Sequence, residues 1–287
     1  MSTPSAIKLI ECPRDAMQGL HNFIPTKDKI EYLNLLLQVG FDTLDFGSFV
    51  SPKAVPQMAD TAEVLNALNL TNTATKLLAI IANQQGITQA AQYDAINYLG
   101  FPFSISETFQ KRNTNTNINT SLATVDELLN TCVKSNKTAV IYLSMAFGNP
   151  YGDEWNAEIV ERWTSVLAEK GVSIIALSDT VGTADHKQVG SLYKTISRQF
   201  PKIEFGLHLH STPDSWEKKV EAGYLNGCTR FDSAIKGFGG CPMASDKLTG
   251  NIATENLISY LKDQTAALSI NTQKFIEAVN FSEKIFV

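Results

Sequence analysis

Two histidines, His208 and His210, lie one residue apart in the apolar stretch "EFGLHLHST". In a β-strand, alternate side chains point to the same face, so the two imidazoles would face the same way. Such a pair is either two core histidines with satisfied hydrogen bonds or two ligands of one metal ion. The other residues that could do chemistry decide between these interpretations.

Polar side chains also follow several other predicted strands: Arg14, Asp15, Gln18, Asp45, Ser48, Asp179, Thr180, Cys241 and Asn251. Two imidazoles, the Asp15 carboxylate and the Asn251 amide oxygen form a mixed nitrogen and oxygen set without a thiolate. Such a set suits a divalent cation such as Mg²⁺ or Mn²⁺ better than a structural zinc ion. The alternatives are an ion pair for Asp15 and a helix cap for Asn251, which precedes "IATEN".

Two further residues could act on a substrate. Arg14 could place its guanidinium against an oxygen that becomes negative during reaction, or form a salt bridge at the barrel mouth. Cys241 lies in the glycine-rich stretch "KGFGGCPMASDKLTGN", which could close like a lid. Its thiol could exchange a proton with a carbanion, although a small buried thiol is the commoner role of a free cysteine.

The elements that position these residues alternate regularly. Short apolar runs rich in β-branched residues are each followed by a helical pattern; they are "AIKLIEC", "DTLDFGSF", "TKLLAIIAN", "AINYLGFPFS", "TAVIYLSMAF", "VSIIALSDT", "IEFGLHLHS" and "TRFDSAIKG". Eight such units in 287 residues predict an α/β fold, a (β/α)8 TIM barrel with an additional C-terminal helix near "TQKFIEAVNFSEKI". We expect one catalytic domain over residues 1–287. In the second unit, Thr26 is expected to cap the helix and Gly40 to end it.

Composition narrows the class of partner. The net charge of −5 and the lack of a long Lys/Arg cluster argue against nucleic acid. No apolar run approaches membrane-spanning length, the first residues carry no signal-peptide pattern, and a cytoplasmic protein is expected. The four cysteines lack a CxxC pattern and are predicted to be free thiols. No GxGxxG follows the first strand, which disfavours dinucleotide binding.

The motifs "PRDAMQ", "SFVSPKAVPQM", "SETFQKRN", "SDTVGT", "GLHLHS", "GFGGCP" and "TGNIATE" occur in this order. From about Ile7 to about Phe281 the chain resembles the hydroxymethylglutaryl-CoA lyases, which are metal-dependent TIM-barrel enzymes. The resemblance implies cleavage of 3-hydroxy-3-methylglutaryl-CoA (HMG-CoA) to acetoacetate and acetyl-CoA, with an acyl-CoA as partner and a homodimer as assembly. It also implies a role in leucine degradation and ketone-body formation.

The resemblance further implies residue roles. Asp15, His208, His210 and Asn251 would hold the cation. Arg14 would stabilise the enolate, His208 would act as the base, and Cys241 would help protonate the carbanion. Substrate contacts would come from Arg14, Gln18, Asp45, Ser48, Asp179 and Thr180.

The chain also departs from the family pattern in several places. Ala16 replaces a Gly, Asp45 a Glu, Ser211 an Asp, Val140 an Arg and His21 a Lys. The loop from Cys241 to Asn251 is one residue longer than expected. Candidates for compensating contacts to CoA phosphates are Lys53, Lys111 and Arg112, each placed in a loop after a strand; the alternative is a solvated surface charge.

These departures leave three other functions open. The first is a related acyl-CoA lyase acting on a different 3-alkyl group. The second is a condensing synthase that uses acetyl-CoA and a 2-oxo acid. The third is a non-catalytic binding barrel.

Overall fold

Eight parallel strands form a closed barrel in the computed structural model, which describes residues 6–240 and 249–286. The strands are β1 (Lys8–Glu11), β2 (Thr43–Ser48), β3 (Lys76–Ile80), β4 (Ile96–Ser104), β5 (Thr138–Ser144), β6 (Ile174–Asp179), β7 (Glu204–Ser211) and β8 (Arg230–Ser233). Each pairs in parallel with the next, and β8 pairs with β1, which closes the sheet. The predicted TIM barrel is confirmed.

Helices surround the sheet. They are α1 (Pro13–Gln18), α2 (Thr26–Leu36), α3 (Thr61–Ala67), α4 (Gln84–Ala91), α5 (Glu107–Thr114), α6 (Ile118–Lys134), α7 (Ala157–Glu169), α8 (His186–Gln199), α9 (Trp216–Leu225), α10 (Thr254–Asp263) and α11 (Thr272–Ile285). Asn or Asp side chains cap the N-termini of α4, α6, α7, α8 and α11, which explains where these helices begin. The expected C-terminal helix is α11, and it packs against α2.

The two boundary predictions for α2 need correction. Pro25 is the N-cap, and Thr26 is the first helical residue. Thr26 Oγ1 donates to Asp60 Oδ2 at 2.8 Å instead of capping its own helix. The helix ends at Leu36, before Gly40, which adopts φ +94° where an added Cβ would lie 2.5 Å from the Ser269 carbonyl oxygen. Gly40 therefore serves a turn beyond the helix rather than its end.

Strand alternation divides the apolar residues into two cores. One small cluster fills the barrel interior and consists of Leu78, Ile80, Tyr98, Val140, Tyr142, Ile174 and Ala176. A much larger cluster lies between the outer face of the sheet and the helices, and it contains their neighbours along the strands, such as Ile141, Ile175 and Leu177. Successive residues along a strand therefore contribute alternately to the barrel interior and to the layer beneath the helices.

A short ninth strand, β9 (Gly250–Asn251), pairs antiparallel with the end of β7 and places Asn251 opposite His210. The N-cap of α10 is Ala253, so the alternative in which Asn251 caps this helix is wrong. Cys12, Cys132 and Cys228 are buried free thiols, as predicted, while Cys241 lies outside the described residues. Within the described ranges, no helix is both long enough and apolar enough to cross a membrane.

Candidate active site

A cavity of about 400 Å³ opens at the C-terminal ends of the strands. This is the end of a TIM barrel where catalytic groups are found. The polar residues of the described chain that line it include Arg14, Gln18, Ser48, Tyr142, Ser144, Ser178, Thr180, His208, His210 and Asp15. Residues from β2, β5, β6, β7 and α1 thus meet in one space, as the predicted convergence of strand ends requires.

Three potential cation ligands meet at the floor of this cavity. Ligand atoms of Asp15, His208 and His210 all lie within 4.8 Å of one another, and the three residues are buried. Asn251 Nδ2 donates to Asp15 Oδ2 at 2.7 Å, which brings the amide into the same cluster. The four residues predicted as cation ligands therefore lie together although 236 positions separate Asp15 from Asn251.

Hydrogen bonds orient both imidazoles. His210 Nδ1 lies 2.9 Å from the Thr180 carbonyl oxygen. A carbonyl oxygen only accepts, so Nδ1 carries the proton and Nε2 keeps its lone pair. Among the described residues, this buried Nε2 has no hydrogen-bond partner. His208 Nδ1 lies 3.1 Å from Asp232 Oδ2 and donates to it, which leaves the Nε2 of His208 open as well.

This cluster fits a hard divalent cation. A cation 2.0–2.1 Å from its ligands holds neighbouring ligand atoms about 3 Å apart, so modest side-chain movements would bring the cluster to bonding distance. A buried imidazole nitrogen with a lone pair and no partner is unfavourable unless something binds it. The outer nitrogen of each imidazole is already held by an oxygen acceptor, as is usual for histidine ligands.

Electrostatics also favour a cation at this position. Burial raises the pKa of Asp15, but the charge of Arg14 and smaller effects of both histidines and Asn251 outweigh it and lower the pKa to about 2. Burial, together with His208, lowers the pKa of His210. Burial also opposes protonation of His208, but the hydrogen bond and charge of Asp232 raise its pKa overall. The Asp15 carboxylate is ionised and His210 favours the neutral form, which are the states that bind metals.

Hydrogen bonds fix the Arg14 side chain beside this cluster. Its Nη2 donates to Asp45 Oδ2 at 2.6 Å and its Nε to the same oxygen at 3.0 Å. Its Nη1 donates to Asp15 Oδ1 at 3.1 Å and to Gln18 Oε1 at 2.9 Å. Burial lowers the pKa of Arg14, but Asp45 and Asp15 raise it overall, so the guanidinium stays charged and fixed at the cavity wall.

Two of the residues predicted to contact substrate do not reach the cavity. Asp45 is fully buried behind Arg14 and does not line the cavity; burial raises its pKa to about 6 although Arg14 opposes the shift. Asp179 holds an outward position on β6, where Lys219 Nζ donates to its Oδ2 at 2.8 Å. Asp45 positions Arg14, and Asp179 anchors α9. Arg14, Gln18, Ser48 and Thr180 do line the cavity.

The departures from the family pattern fall in different places. Ala16 lies inside α1 and is not among the described residues with positive φ, so its Cβ is tolerated. Val140 faces the barrel interior. Ser211 is buried at the end of β7 and pairs with Gly250. His21 is exposed and does not line the cavity.

The candidates for phosphate contacts also differ from one another. Lys111 and Arg112 belong to α5 rather than to a loop, which corrects their predicted placement. Arg112 lines the cavity mouth and stacks over the Tyr151 ring at 4.8 Å, whereas Lys111 pairs with Glu107. Lys53 is exposed and does not line the cavity.

Several site residues were not predicted. Tyr142 and Ser144 of β5 line the cavity, and the Tyr142 ring packs edge-on against His208 with centroids 5.5 Å apart. Their positions alternate along "TAVIYLS", so strand periodicity could have identified them. Asp232 orients His208, and Lys219 donates to the His210 carbonyl oxygen at 2.9 Å. Asp232 occupies an inward position on β8, but the contact of Lys219 depends on the docking of α9.

Comparison with known proteins agrees with this geometry. The HMGL-like family model matches residues 7–281. The hydroxymethylglutaryl-CoA lyase YngG of Bacillus subtilis is 31% identical over 285 residues, which cover 99% of this chain and 94% of that protein. A crystal structure of the B. subtilis HMG-CoA lyase superposes with a TM-score of 0.91 at 31% identity, covering 99% of this chain and 95% of that one. An HMG-CoA lyase from Acinetobacter baumannii, solved with coenzyme A and 3-methylmalate, gives a TM-score of 0.91 at 27% identity and covers 100% and 93% of the two chains.

Proposed function

The chain belongs to the HMGL-like family and is a carbon–carbon lyase, and we propose that it cleaves HMG-CoA to acetoacetate and acetyl-CoA at the cavity described above. The main support for the proposal is that Asp15, His208 and His210 lie together in one buried space, next to a charged Arg14 that is held by hydrogen bonds. This arrangement combines the ligands of a hard cation with a base and an electrophile, which retro-Claisen cleavage requires.

The cation would be Mg²⁺ or Mn²⁺, held by Asp15, His210 and Asn251. When bound, it supplies Lewis-acid polarisation of substrate oxygens. Burial lowers the pKa of His208, but the hydrogen bond and charge of Asp232 raise it overall, whereas burial and the neighbouring His208 lower the pKa of His210. We therefore assign His208 as the base. One nitrogen cannot bind a cation and accept a proton at the same moment, so we propose His208 as the base, and its predicted role as a cation ligand stays a prediction. The Asp232–His208 pair resembles the usual arrangement of a base and the carboxylate that orients it.

The reaction then proceeds as follows. His208 Nε2 accepts the proton of the tertiary hydroxyl, and the oxygen lone pair forms the ketone of acetoacetate. The bond between C2 and C3 of the acyl chain breaks, and its electron pair moves to the acetyl-CoA carbon as an enolate. Arg14 stabilises the negative enolate oxygen. A proton delivered to that carbon, in which we propose Cys241 participates, completes acetyl-CoA.

The acyl-CoA would lie along the cavity and its extension. A second cavity of about 400 Å³ adjoins the first and shares Ser48, Val50, Ser51 and Asn83 with it. The joined space suits a long thioester. Arg112 at the cavity mouth is the proposed partner of a CoA phosphate. Gln18, Ser48 and Thr180 are proposed to position the acyl head group.

The proposal also covers the location, assembly, partners and metabolic role of the enzyme. We propose a cytoplasmic homodimer that binds neither nucleic acid nor membrane, with a role in leucine degradation and ketone-body formation. The net charge of −5 supports the exclusion of nucleic acid.

A product assay tests the proposed reaction. Chelator-treated protein should be inactive, and readdition of Mg²⁺ or Mn²⁺ should restore acetoacetate release from HMG-CoA. Release from longer 3-alkyl analogues but not from HMG-CoA would identify the related lyase. Condensation of acetyl-CoA with a 2-oxo acid would identify the synthase, and no reaction with any of these compounds would favour a binding barrel.

A further inference from the structure

A layer of buried polar groups lies in the barrel directly below His208. Arg230 is the first residue of β8 and is fully buried. Its Cδ would lie 2.9 Å from a Cβ placed on Gly206 of β7, so the missing side chain of that glycine makes room for the arginine. The guanidinium lies 5.8 Å from the Tyr98 ring of β4, on the opposite wall. Arg230 therefore crosses the barrel interior one inward step below His208.

This layer contains donors and acceptors that lack protein partners. Arg230 uses Nη1 to contact Glu204 Oε1 at 3.3 Å, but its Nε and Nη2 find no acceptor among the described residues. Asp232 Oδ1 and the Tyr142 hydroxyl likewise have no hydrogen-bond partner within the described part of the chain. Arg230 and Asp232 stand two residues apart on β8 and face the same interior. The charge of Arg230 interacts with both Asp232 and Tyr142, so its two unpaired donors lie near an unpaired carboxylate oxygen and an unpaired hydroxyl.

Groups of this kind are rarely left unpaired in a folded protein, and ordered water is their usual partner where several converge. We propose that Arg230, Asp232 and Tyr142 hold a cluster of buried water molecules, through which Arg230 acts as a positioning residue for His208. The water-bridged guanidinium fixes Asp232 in the orientation whose second oxygen accepts from His208 Nδ1. His208 Nε2 then points into the cavity.

Strand β5 adds no charged side chain to this interior. Val140, where the resemblance led us to expect an arginine, faces the same interior from β5. The buried guanidinium of this layer comes from Arg230 of β8.

The water cluster can be tested without reference to the reaction. A high-resolution crystal structure of the wild-type protein should show ordered water within hydrogen-bond distance of both Arg230 Nη2 and Asp232 Oδ1. In Arg230→Met, a side chain of similar length without donors, the Asp232 carboxylate should rotate and its contact with His208 Nδ1 should lengthen. A dry interior in the wild type, or an unmoved Asp232 and His208 in the variant, would overturn the proposal.

The kinetic consequence rests on the proposed function. Arg230→Met should lower kcat for HMG-CoA cleavage about 10-fold or more while KM stays within about twofold, as for other residues that orient a catalytic group. Arg230→Lys, which restores one donor group, should recover part of that loss. Lys8→Met is the matched control, because Lys8 contacts the same Glu204 from the half-exposed barrel floor and should leave kcat unchanged.

The outcomes separate the two proposals. An inactive wild type with the predicted water cluster would refute only the proposed reaction. Equal kcat in wild type, Arg230→Met and Lys8→Met would refute the role of Arg230. If Arg230→Met fails to fold by circular dichroism, the wild-type crystal structure decides the question, and a lack of ordered water between Arg230 Nη2 and Asp232 Oδ1 refutes the proposal.

Discussion

At this site, the direction in which a side chain points matters as much as the type of residue. The sequence predicts substrate contacts for Asp45 and Asp179 because both are expected near the C-terminal ends of strands, yet neither faces the cavity. Asp179 has an outward position on β6, while Ser178 and Thr180 on either side of it line the cavity. Asp45 is buried behind the longer Arg14 side chain. A one-residue difference in strand position thus separates a cavity residue from one that packs against a helix.

The two histidines should respond differently to substitution. In His208→Ala we expect loss of turnover with Mn²⁺ affinity retained within a few-fold, because His208 is assigned as the base. In His210→Ala both should be lost, because its Nε2 is assigned to the cation. Titration with Mn²⁺ followed by electron paramagnetic resonance measures the affinity. Equal loss of Mn²⁺ affinity in the two variants would show that His208 is a cation ligand instead.

Cys241 lies outside the described residues, so its role is a prediction from sequence alone. Cys241→Ala should retain Mn²⁺ affinity while losing most of the rate of acetyl-CoA formation, because a proton donor is removed. General acid catalysis by a positioned side chain contributes about 100-fold or more to a rate. Steady-state kinetics measures the effect, and Cys132→Ala, a change in a buried thiol on α6, is the matched control. Wild-type turnover in Cys241→Ala would remove the thiol from the mechanism.

At the scale of elements, one lysine of α9 joins the ends of two strands. Lys219 Nζ donates to Asp179 Oδ2 at 2.8 Å, to the Gly182 carbonyl oxygen at 3.0 Å and to the His210 carbonyl oxygen at 2.9 Å. The lysine thereby ties β6 and its following loop to β7. Sequence patterns predicted α9 but not this contact, because it depends on how the helix docks on the sheet.

Removing this contact should destabilise the protein. Lys219→Met leaves the buried Asp179 carboxylate without its cation, and breaking a buried ion pair in this way costs about 3–5 kcal/mol. Urea unfolding of Lys219→Met and wild type measures the difference. Lys218→Met, a change at the exposed neighbouring position on the same helix, should lie within about 0.5 kcal/mol of wild type. Equal stability of the two variants would contradict the structural role of Lys219.

A buried glutamate links β1 to the region after β8. Glu11 Oε1 accepts from the Ile235 amide at 2.8 Å, and Oε2 accepts from Thr254 Oγ1 at 2.6 Å. Burial raises the pKa of Glu11 from 4.5 to about 8, although both hydrogen bonds oppose the shift. Between these two pH values the folded protein binds a proton that the unfolded chain has released. The contribution of Glu11 to stability is therefore favourable at low pH and is lost as pH rises towards 8.

Glu11→Gln should remove this pH dependence. The amide preserves an acceptor for Ile235 and can donate to Thr254, but it does not titrate. We expect the free energy of unfolding of wild type, relative to Glu11→Gln, to fall as pH rises from about 5 to about 8, by a few kcal/mol in the order of magnitude set by the pKa shift. Denaturation with urea at a series of pH values measures it. Parallel pH profiles for the two proteins would contradict the prediction.

At the scale of the whole molecule, regular alternation of apolar strands and amphipathic helices was sufficient to predict the closed barrel and α11. Three short elements, α1, α5 and β9, were not predicted. A strand of two residues is too short to show periodicity, and β9 forms because Asn251 pairs with His210 across the site. Asp15, His208, His210 and Asn251 were identified from the sequence because strand ends converge in a barrel, whereas the support from Asp232, Lys219 and Arg230 depends on three-dimensional packing.

The central claim is that this site cleaves HMG-CoA, and product stoichiometry tests it most directly. Protein loaded with Mn²⁺ should convert each HMG-CoA consumed into one acetoacetate and one acetyl-CoA, measured by mass spectrometry of the reaction mixture over time. Unconsumed HMG-CoA in the presence of folded protein that binds Mn²⁺ would contradict the claim, as would acetyl-CoA formed without an equal amount of acetoacetate.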